Sequence, residues 1–262
     1  MQRSRLLLSQ RILTVESPEG RRDVDLYSEE GFELLSNLWV RSGWQQRLSY
    51  RLTWLGIPII QLPEDLLMMQ ELIYKVRPEV VIETGTAHGG TAIFYASLLK
   101  MLGRGHVISV DIEIRHYNRL AIQAHPLSER ITLIEGSSVS DPIISQVRQL
   151  TRSQEPILVA LDSNHSYPHV LAELEAYAPF VGPGSYVVVF DGIMPAVADA
   201  PSGRPEWKSD NPGRAVQDFL QHHPEFEVDP YYTRLLVTYC AGGYLRRKPN
   251  SGAISVVGRT GE

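Results

Sequence analysis

Three polar side chains follow two apolar runs of the sequence and could act together. Asp162 and His165 come after the run 157–161, and Asp191 comes directly after the run 185–190. If these runs are neighbouring parallel strands, their carboxyl ends meet at one edge of a sheet. Two carboxylates there suit a hard divalent cation such as Mg²⁺, and an imidazole beside them suits removal of a proton from an alcohol. The alternative is that Asp162 caps a helix and His165 lies on the surface.

A glycine-rich segment, Glu-Thr-Gly-Thr-Ala-His-Gly-Gly at 83–90, joins an earlier apolar run to a helix-like stretch. Glycines let a backbone approach a ligand closely, and the start of a helix offers free N–H groups. The segment is one substitution away from the Gly-x-Gly-x-x-Gly loop of dinucleotide sites, and a tight turn without a ligand is the plainer alternative. Glu83 favours another ligand, because a carboxylate repels a pyrophosphate and attracts a sulfonium or an ammonium group.

The same segment resembles the first motif of S-adenosylmethionine-dependent methyltransferases, an acid–x–Gly–x–x–x–Gly–Gly turn. We therefore expect four of its residues to bind the methionine end of that cofactor: Glu83, Gly85, Thr86 and Gly89. Asp111 ends the second apolar run and can accept hydrogen bonds from both ribose hydroxyls, although it could instead cap a helix. Ser137, in the turn after the third run, is expected near the adenine, although a plain turn fits equally well. Asp162 would complete the cofactor site.

Short apolar runs and helix-like stretches alternate from residue 78 onward, and this pattern would position these side chains. The apolar runs are 80–82, 106–110, 131–134, 157–161 and 185–190. The helix-like stretches between them are 91–101, 116–125, 142–150 and 169–177. Continuous apolar strands that alternate with helices indicate a parallel sheet covered on both faces. The expected fold is therefore α/β, a doubly wound Rossmann-like sheet in a domain spanning 78–248.

The pattern is less regular outside the alternating part. Residues 1–77 are expected to form an N-terminal helical and loop segment, and 249–262 a flexible tail. In the N-terminal segment, helices are expected at 32–39 and 66–75 and a loop at 54–63. Near the end of the domain, a loop is expected at 193–213, a helix at 215–222 and strand-like runs at 226–228, 235–239 and 243–245. The last runs predict an antiparallel C-terminal strand pair.

The composition excludes several classes of protein. The 262 residues are 43% hydrophobic and 21% charged, which is typical of a globular chain. A net charge of −5 disfavours a nucleic-acid partner, and no apolar run approaches the ~20 residues of a membrane span, so a cytoplasmic protein is expected. The single cysteine, Cys240, excludes a disulfide framework and is expected to be buried in an apolar strand. Trp39, Trp44 and Trp54 are expected to pack in the core or to line an acceptor pocket.

Beyond the cofactor turn, the chain resembles the cephalosporin hydroxylase / rhamnosyl O-methyltransferase family over about residues 50–248. The motifs that carry the resemblance are, in order, Trp54-Leu-Gly56 with Pro63-x-Asp65, Arg77-Pro-Glu-Val-Val-Ile-Glu83, Ser109-Val-Asp111-Ile, Leu161-Asp-Ser-Asn-His165, Tyr177-Ala-Pro-Phe-Val181, Pro212-Gly-Arg-Ala-Val and Gly243-Tyr-Leu245. The resemblance implies the fold of a methyltransferase.

The resemblance also implies roles for the residues at the strand ends. In related sugar O-methyltransferases, an acid at the end of the fourth strand binds a metal and the general base lies three residues later. These roles would fall on Asp162 and His165. Two adjacent metal-binding residues end the fifth strand in those enzymes, whereas here only Asp191 matches and Phe190 replaces the expected acid. We therefore expect Asp162 and Asp191 to bind Mg²⁺ weakly, through more waters, or not at all.

Together these observations predict an S-adenosylmethionine-dependent O-methyltransferase that methylates a hydroxyl group of a sugar or a small natural product. The partner would be a small-molecule or glycosylated acceptor. Related enzymes often assemble through N-terminal elements, which leaves a homo-oligomer open. Two alternatives remain at this stage. An NAD-dependent oxidoreductase is disfavoured by Glu83, and a non-catalytic nucleoside-binding or scaffold protein is favoured by Phe190.

Overall fold

The apolar runs of the sequence form a central sheet, and the stretches between them form helices. The computed structural model describes residues 5–18 and 20–249. The strands are β1 (Arg5–Ser9), β2 (Ile12–Ser17), β3 (Gly20–Asp25), β4 (Leu52–Trp54), β5 (Ile57–Ile59), β6 (Val80–Thr84), β7 (His106–Asp111), β8 (Ile131–Glu135), β9 (Ile157–Leu161), β10 (Tyr186–Val189), β11 (Phe226–Val228) and β12 (Tyr244–Arg247). The helices are α1 (Glu29–Gln45), α2 (Pro63–Val76), α3 (Gly90–Met101), α4 (His116–Ala124), α5 (Asp141–Leu150), α6 (Tyr167–Tyr177), α7 (Met194–Val197) and α8 (Pro212–His222). Within the described residues, no helix combines the length and the apolar character needed to cross a bilayer.

Seven strands form the central sheet, in the order β11-β12-β10-β9-β6-β7-β8. The five strands from β10 to β8 are parallel, and β12 runs antiparallel to both β10 and β11. Strands β6 and β9 are buried along their whole length, because helices cover both faces of the sheet. The predicted doubly wound α/β fold with an antiparallel C-terminal strand pair is confirmed.

Each face of the sheet packs against its own set of helices. Helices α2, α3 and α4 share a buried cluster with Val81 and Val107, whereas α5, α6 and α8 share a second cluster with Ile82 and Val110. Successive strand residues point to opposite faces, so the two clusters alternate along every strand. This packing holds the strands in register and brings their carboxyl ends to one edge.

The N-terminal segment contains strands that the sequence analysis did not predict. Strands β1, β2 and β3 form an antiparallel sheet, and β4 pairs with β5 where a structured loop was expected. Leu13 and Val24 are paired in the register and buried, but the charged residues 21–23 interrupt the apolar alternation that would reveal a strand. The predicted helix 32–39 lies within α1, which begins after Ser28, whose hydroxyl accepts a hydrogen bond from Gly31 N.

The predicted strand at 235–239 is wrong. The backbone N of Tyr239 donates a hydrogen bond to the buried carboxylate of Asp65, and the Tyr239 carbonyl accepts one from Ile193 N. These bonds take the place of a strand ladder, so the run is a loop, and β12 forms the C-terminal strand pair with β11 instead. Cys240 is buried as expected, but it lies in this loop.

The predicted loop at 193–213 contains two short helical pieces, α7 and a 3₁₀ turn at Pro205–Lys208. Of the predicted tail 249–262, all but the first residue lies outside the described residues. The domain limits at 78 and 248 stay predictions, and α2, which precedes the first limit, packs in the same cluster as α3.

Candidate active site

A cavity of about 410 Å³ lies at the carboxyl-terminal edge of the parallel strands. The glycine turn after β6, the ends of β9 and β10, and part of the N-terminal segment surround it. Of the predicted site residues, the structure brings five to its lining: Gly85, Thr86, Asp162, His165 and Asp191. Four others lie outside the lining: Glu83, Gly89, Asp111 and Ser137. The strand ends are aligned by backbone hydrogen bonds from Asp162 N to Thr84 O and from Phe190 N to Leu161 O.

The glycine turn packs directly on the end of β9. Gly85 has a φ of +93°, and a Cβ at this position would collide with the carbonyl oxygen of Asp162. Only glycine combines this left-handed backbone with so close an approach. Helix α3 begins immediately after the turn, and Gly90 and Thr91 in its first turn line the cavity. Free backbone N–H groups therefore lie where a ligand could accept their hydrogen bonds.

Glu83 lies behind the glycine turn rather than in the cavity. Its side chain is 1% exposed, and its carboxylate accepts a 2.5 Å hydrogen bond from the hydroxyl of Ser109, with the Thr91 side chain nearby. The hydroxyls of Thr86 and Ser109 lie 2.7 Å apart, so these side chains join the turn to β7. Burial raises the pKa of Glu83 to about 7. In this structure Glu83 helps to hold the turn, and its contact with the methionine end stays a prediction.

Asp111 and Ser137 lie on neighbouring turns beside the glycine turn. The Asp111 carboxylate accepts hydrogen bonds from the backbone N of Ala87 at 3.0 Å and of Glu113 at 3.2 Å. Gly136 N donates to the Asp111 carbonyl oxygen at 2.8 Å, which places the turn that carries Ser137 next to Asp111. The structure thus brings these residues together, and their contact with a nucleoside stays a prediction.

Asp162, His165 and Asp191 converge at the cavity and form the carboxylate–histidine cluster. One ligand atom from each of the three lies within 4.8 Å of the others. His165 Nε2 is 3.2 Å from Asp191 Oδ2, and Gln61 Nε2 donates a 3.0 Å hydrogen bond to Asp162 Oδ2. Among the residues that the structure describes, neither carboxylate pairs with a lysine or an arginine.

The pKa values of the two carboxylates of the cluster are raised by their partly buried setting. Burial, together with the nearby charge of Asp191, raises the pKa of Asp162 well above its usual range. Burial likewise raises the pKa of Asp191, and the neighbouring His165 opposes that effect. Buried carboxylates are stabilised when they coordinate a metal ion. The two carboxylates in this geometry fit a divalent cation whose remaining ligands are water.

The neighbours of Asp191 add no further metal ligand. Phe190 is 3% exposed and packs in the core cluster with Val188 and Tyr244. Gly192 has no side chain, and a Cβ there would collide with the carbonyl oxygen of Ala241. The end of β10 therefore supplies a single carboxylate, in agreement with the weak cation binding expected from Phe190.

Sequence reasoning missed two buried polar residues near the cluster. Gln61 is the polar residue in an otherwise apolar stretch before α2, and its bond to Asp162 gives it a role in orienting that carboxylate. In the sequence, Asp65 is distinguished only as part of the motif Pro63-x-Asp65. Its carboxylate accepts hydrogen bonds from Thr238 and from Tyr239 N, and burial raises its pKa to about 7. Asp65 thus holds the loop that brings Tyr239 to the cavity.

Side chains of helix α6 connect the turns after β8 and β9. The sequence did not predict these contacts. Glu173 is fully buried and accepts hydrogen bonds from the hydroxyls of Ser138 at 2.5 Å and Ser163 at 2.7 Å. His169 Nε2 lies 3.3 and 3.2 Å from the same two hydroxyls. The helix therefore ties the turn of Ser137 to the turn that carries the carboxylate–histidine cluster.

The tryptophans separate into different environments. Trp44 lines the cavity together with Trp207 and Tyr239. Trp54 packs edge-on against the buried ring of Phe94, and Trp39 is 57% exposed. The expectation of a pocket wall thus holds for Trp44, and that of packing holds for Trp54.

Comparison with known proteins identifies relatives over most of the chain. The family model described as Rhamnosyl O-methyltransferase/CmcI matches residues 46–248. The rhamnosyl O-methyltransferase of Mycobacterium leprae is 30% identical over 203 residues, which cover 75% of this chain and 83% of that protein. The enzyme of the same name from Mycobacterium bovis is 33% identical over 142 residues, which cover 53% of this chain and 56% of that protein.

Solved structures show the same fold at lower identity. A structure of CmcI with Mg and SAM superimposes with a TM-score of 0.56 at 17% identity and covers 76% of this chain and 78% of that one. A putative caffeoyl-CoA O-methyltransferase from Staphylococcus aureus gives a TM-score of 0.50 at 15% identity, over 76% of this chain and 92% of that one. The predicted methyltransferase is thereby confirmed over the NAD-dependent oxidoreductase. The chain belongs to the Rhamnosyl O-methyltransferase/CmcI family of methyltransferases.

Proposed function

We propose that this protein transfers the methyl group of S-adenosylmethionine to a hydroxyl group of a sugar-containing or other small acceptor. The observation that carries the proposal is the convergence of Asp162, His165 and Asp191 in the cavity that the glycine turn also lines. A cofactor-binding turn and a proton acceptor thus face the same space. The names of the mycobacterial relatives support a rhamnosyl acceptor. The cytoplasmic location, the absence of a nucleic-acid partner and a homo-oligomeric state stay predictions.

The cofactor would be held by backbone and side chains of three neighbouring turns. The first turn of α3 would offer N–H groups to the methionine carboxylate. Because Gly85 has no side chain, the turn can pack closely against the end of β9. Asp111 would accept the ribose hydroxyls, and Ser137 would lie at the adenine. Glu83 would support these contacts from behind, because it holds Ser109 beside the turn.

A divalent cation would be held by Asp162 and Asp191. When bound, S-adenosylmethionine supplies an activated methyl group, and Mg²⁺ supplies positive charge that lowers the pKa of a coordinated hydroxyl. Gln61 keeps the carboxylate of Asp162 oriented through its hydrogen bond to Oδ2. Phe190 and Gly192 contribute no oxygen ligand, which favours weak binding with more water in the coordination sphere.

His165 would accept the proton that the acceptor hydroxyl loses as its oxygen bonds to the methyl carbon and the carbon–sulfur bond breaks, which would leave adenosylhomocysteine. If Nε2 donates its hydrogen bond to Asp191 Oδ2, Nδ1 is the nitrogen left to accept that proton. Asp191 would then orient the imidazole and stabilise its protonated form. Holding the acceptor oxygen in line with the methyl group can supply about 7–11 kcal/mol of the barrier, and a positioned base contributes about 10²–10⁴-fold in rate.

A methyl-transfer assay tests this function directly. Purified protein, S-adenosyl-L-[methyl-³H]methionine and a panel of rhamnosides should give labelled product, and mass spectrometry should detect adenosylhomocysteine. The variant Asp111→Ala should weaken adenosylhomocysteine binding by about 1.5–3 kcal/mol through lost charge-assisted hydrogen bonds, whereas Glu113→Ala, on the same turn, should not. Cofactor binding without transfer to any hydroxyl compound would favour the nucleoside-binding or scaffold alternative. Unchanged affinity in a folded Asp111→Ala variant would remove Asp111 from the site.

A further inference from the structure

The cavity has a second set of lining residues that the carboxylate–histidine cluster does not explain. Trp44, Trp207 and Tyr239, here called the aromatic wall, line the same cavity as that cluster. We propose that the aromatic wall is the acceptor subsite and that the part of the acceptor it holds is a pyranose ring. This inference rests on the proposed methyl transfer and names the residues that select the acceptor.

The arrangement of the rings favours a pyranose over a flat aromatic acceptor. The Trp44 and Trp207 ring centroids are 5.8 Å apart with planes at 86°, and those of Trp44 and Tyr239 are 5.1 Å apart at 72°. Rings that meet edge to face form a corner rather than a slot between parallel faces. A flat aromatic compound gains most from a parallel slot. A pyranose can place an apolar C–H face against one aromatic ring. Its hydroxyl groups then point toward the residues around that ring.

Polar groups suited to those hydroxyls surround the aromatic wall. Arg47, Ser49 and Ser202 line the same cavity, and the Arg47 guanidinium has no hydrogen-bond partner among the described residues. Tyr239 is 5% exposed, and its hydroxyl, near that of Ser49, makes no hydrogen bond of normal geometry within the described part of the chain. The Arg47 guanidinium and the hydroxyls of Ser49 and Ser202 can donate hydrogen bonds to the hydroxyl groups of a pyranose.

Contacts outside the cavity hold the aromatic wall together. Arg41 Nη2 donates to Asp199 Oδ1 at 2.8 Å, and Ser202 N donates to Gln45 Oε1 at 2.9 Å. These bonds join α1, which carries one tryptophan, to the segment that carries the other. The parallel strands contribute no residue to the wall, so the wall is built by segments other than those that carry the cofactor turns.

Saturation-transfer NMR tests the wall, with methyl α-L-rhamnopyranoside as the probe and the protein loaded with adenosylhomocysteine. We expect saturation to pass from aromatic protons of the protein to the C–H protons of the ring. Trp44→Ala and Trp207→Ala should each weaken probe binding about tenfold, the loss expected for one aromatic contact. Trp207→Phe, which keeps an aromatic face, should retain most of the affinity. Trp39→Ala, at an exposed position on the same helix as Trp44, should bind the probe like the wild type.

The affinity for adenosylhomocysteine, measured for every variant, separates two kinds of failure. If the wild type binds adenosylhomocysteine but not the rhamnoside, or binds catechol more tightly than the rhamnoside, the pyranose subsite is overturned while methyl transfer to another acceptor stands. Equal rhamnoside affinity in the wild type, Trp44→Ala and Trp207→Ala would overturn it as well. If the rhamnoside binds at the aromatic wall and neither a rhamnoside nor any other hydroxyl compound is methylated, the proposed function fails and the subsite remains supported.

Discussion

At the scale of single residues, His165 carries the most specific chemical prediction. Its imidazole is held 3.2 Å from the Asp191 carboxylate at the cavity, so its replacement should remove the proton acceptor and leave the cofactor turns intact. We expect His165→Ala to lower kcat by about 10²–10⁴-fold while the affinity for adenosylhomocysteine, measured by calorimetry, stays within about twofold of the wild type.

The control for that variant must be a histidine outside the site. His169 would fit this purpose by sequence, but its ring contacts Ser138 and Ser163 beneath the cofactor turns. His222 is exposed near the end of α8 and is the better control, so His222→Ala should leave both quantities unchanged. If His165→Ala and His222→Ala were equally active, proton removal would belong to another residue or to water.

The carboxylates of the cluster predict a weak dependence on a divalent cation. Activity should fall after exhaustive treatment with EDTA and return with Mg²⁺, and half-saturation should lie toward millimolar concentrations because Phe190 and Gly192 add no ligand. Asp191→Asn removes one of the two charges and should abolish the rescue by Mg²⁺. Full activity of the chelated wild type would exclude a role for the cation while leaving methyl transfer intact.

At the scale of an element, the glycine turn between β6 and α3 predicts a comparison of two glycines. Gly85 and Gly56 have nearly the same left-handed backbone, with φ values of +93° and +90°. A Cβ at Gly85 would meet the carbonyl of Asp162, whereas a Cβ at Gly56 would meet nothing within 4 Å. Gly56→Ala should cost only the conformational penalty of about 1–2 kcal/mol. Gly85→Ala adds a backbone collision and should cost clearly more and lose adenosylhomocysteine binding.

Urea unfolding and calorimetry on both glycine variants check this prediction. The difference between the two free energies of unfolding isolates the collision, because the backbone penalty is common to both. Equal stability and equal cofactor affinity of the two variants would mean that the turn moves away from β9 at little cost. The close packing of the turn would then have no part in cofactor binding.

At the scale of the whole molecule, buried carboxylates predict how stability depends on pH. The pKa values of Glu83 and Asp65 are raised to about 7 by burial, above their ordinary values of 4.5 and 3.8. At pH values between the ordinary and the raised pKa, the folded protein holds protons that the unfolded chain has released. The free energy of unfolding therefore falls as pH rises through this range. The thermal midpoint of the ligand-free protein should therefore decrease from pH 5 to pH 8.

Variants at these positions test the origin of that decrease. Glu83→Gln cannot ionise and should flatten part of the fall in the midpoint, whereas Glu33→Gln, at an exposed position of α1, should reproduce the wild-type curve. A midpoint that rises across this range, or a Glu83→Gln curve parallel to that of the wild type, would contradict the assignment.

The sequence by itself determined the parallel part of the sheet and the chemistry at its edge. Apolar runs such as 157–161 must be buried on both faces, and this requirement alone predicts strands between helices. Polar residues placed directly after those runs, such as Asp162 and Asp191, then have to meet at one edge. Local pattern and burial agree in this region, so both the fold and the carboxylate–histidine cluster could be predicted.

Tertiary structure decided the features that depend on partners far away in the chain. Residues 235–239 are apolar enough for a strand, but Asp65 binds Tyr239 N and makes the run a loop. Gln61 acquires its role from Asp162, 101 residues away, and Glu83 is turned inward, where the Ser109 hydroxyl donates a hydrogen bond to its carboxylate. The aromatic wall likewise exists only where three separate segments meet. The spacing of apolar side chains predicts which face of a segment is buried. It does not predict which segments pack together, and these contacts depend on that packing.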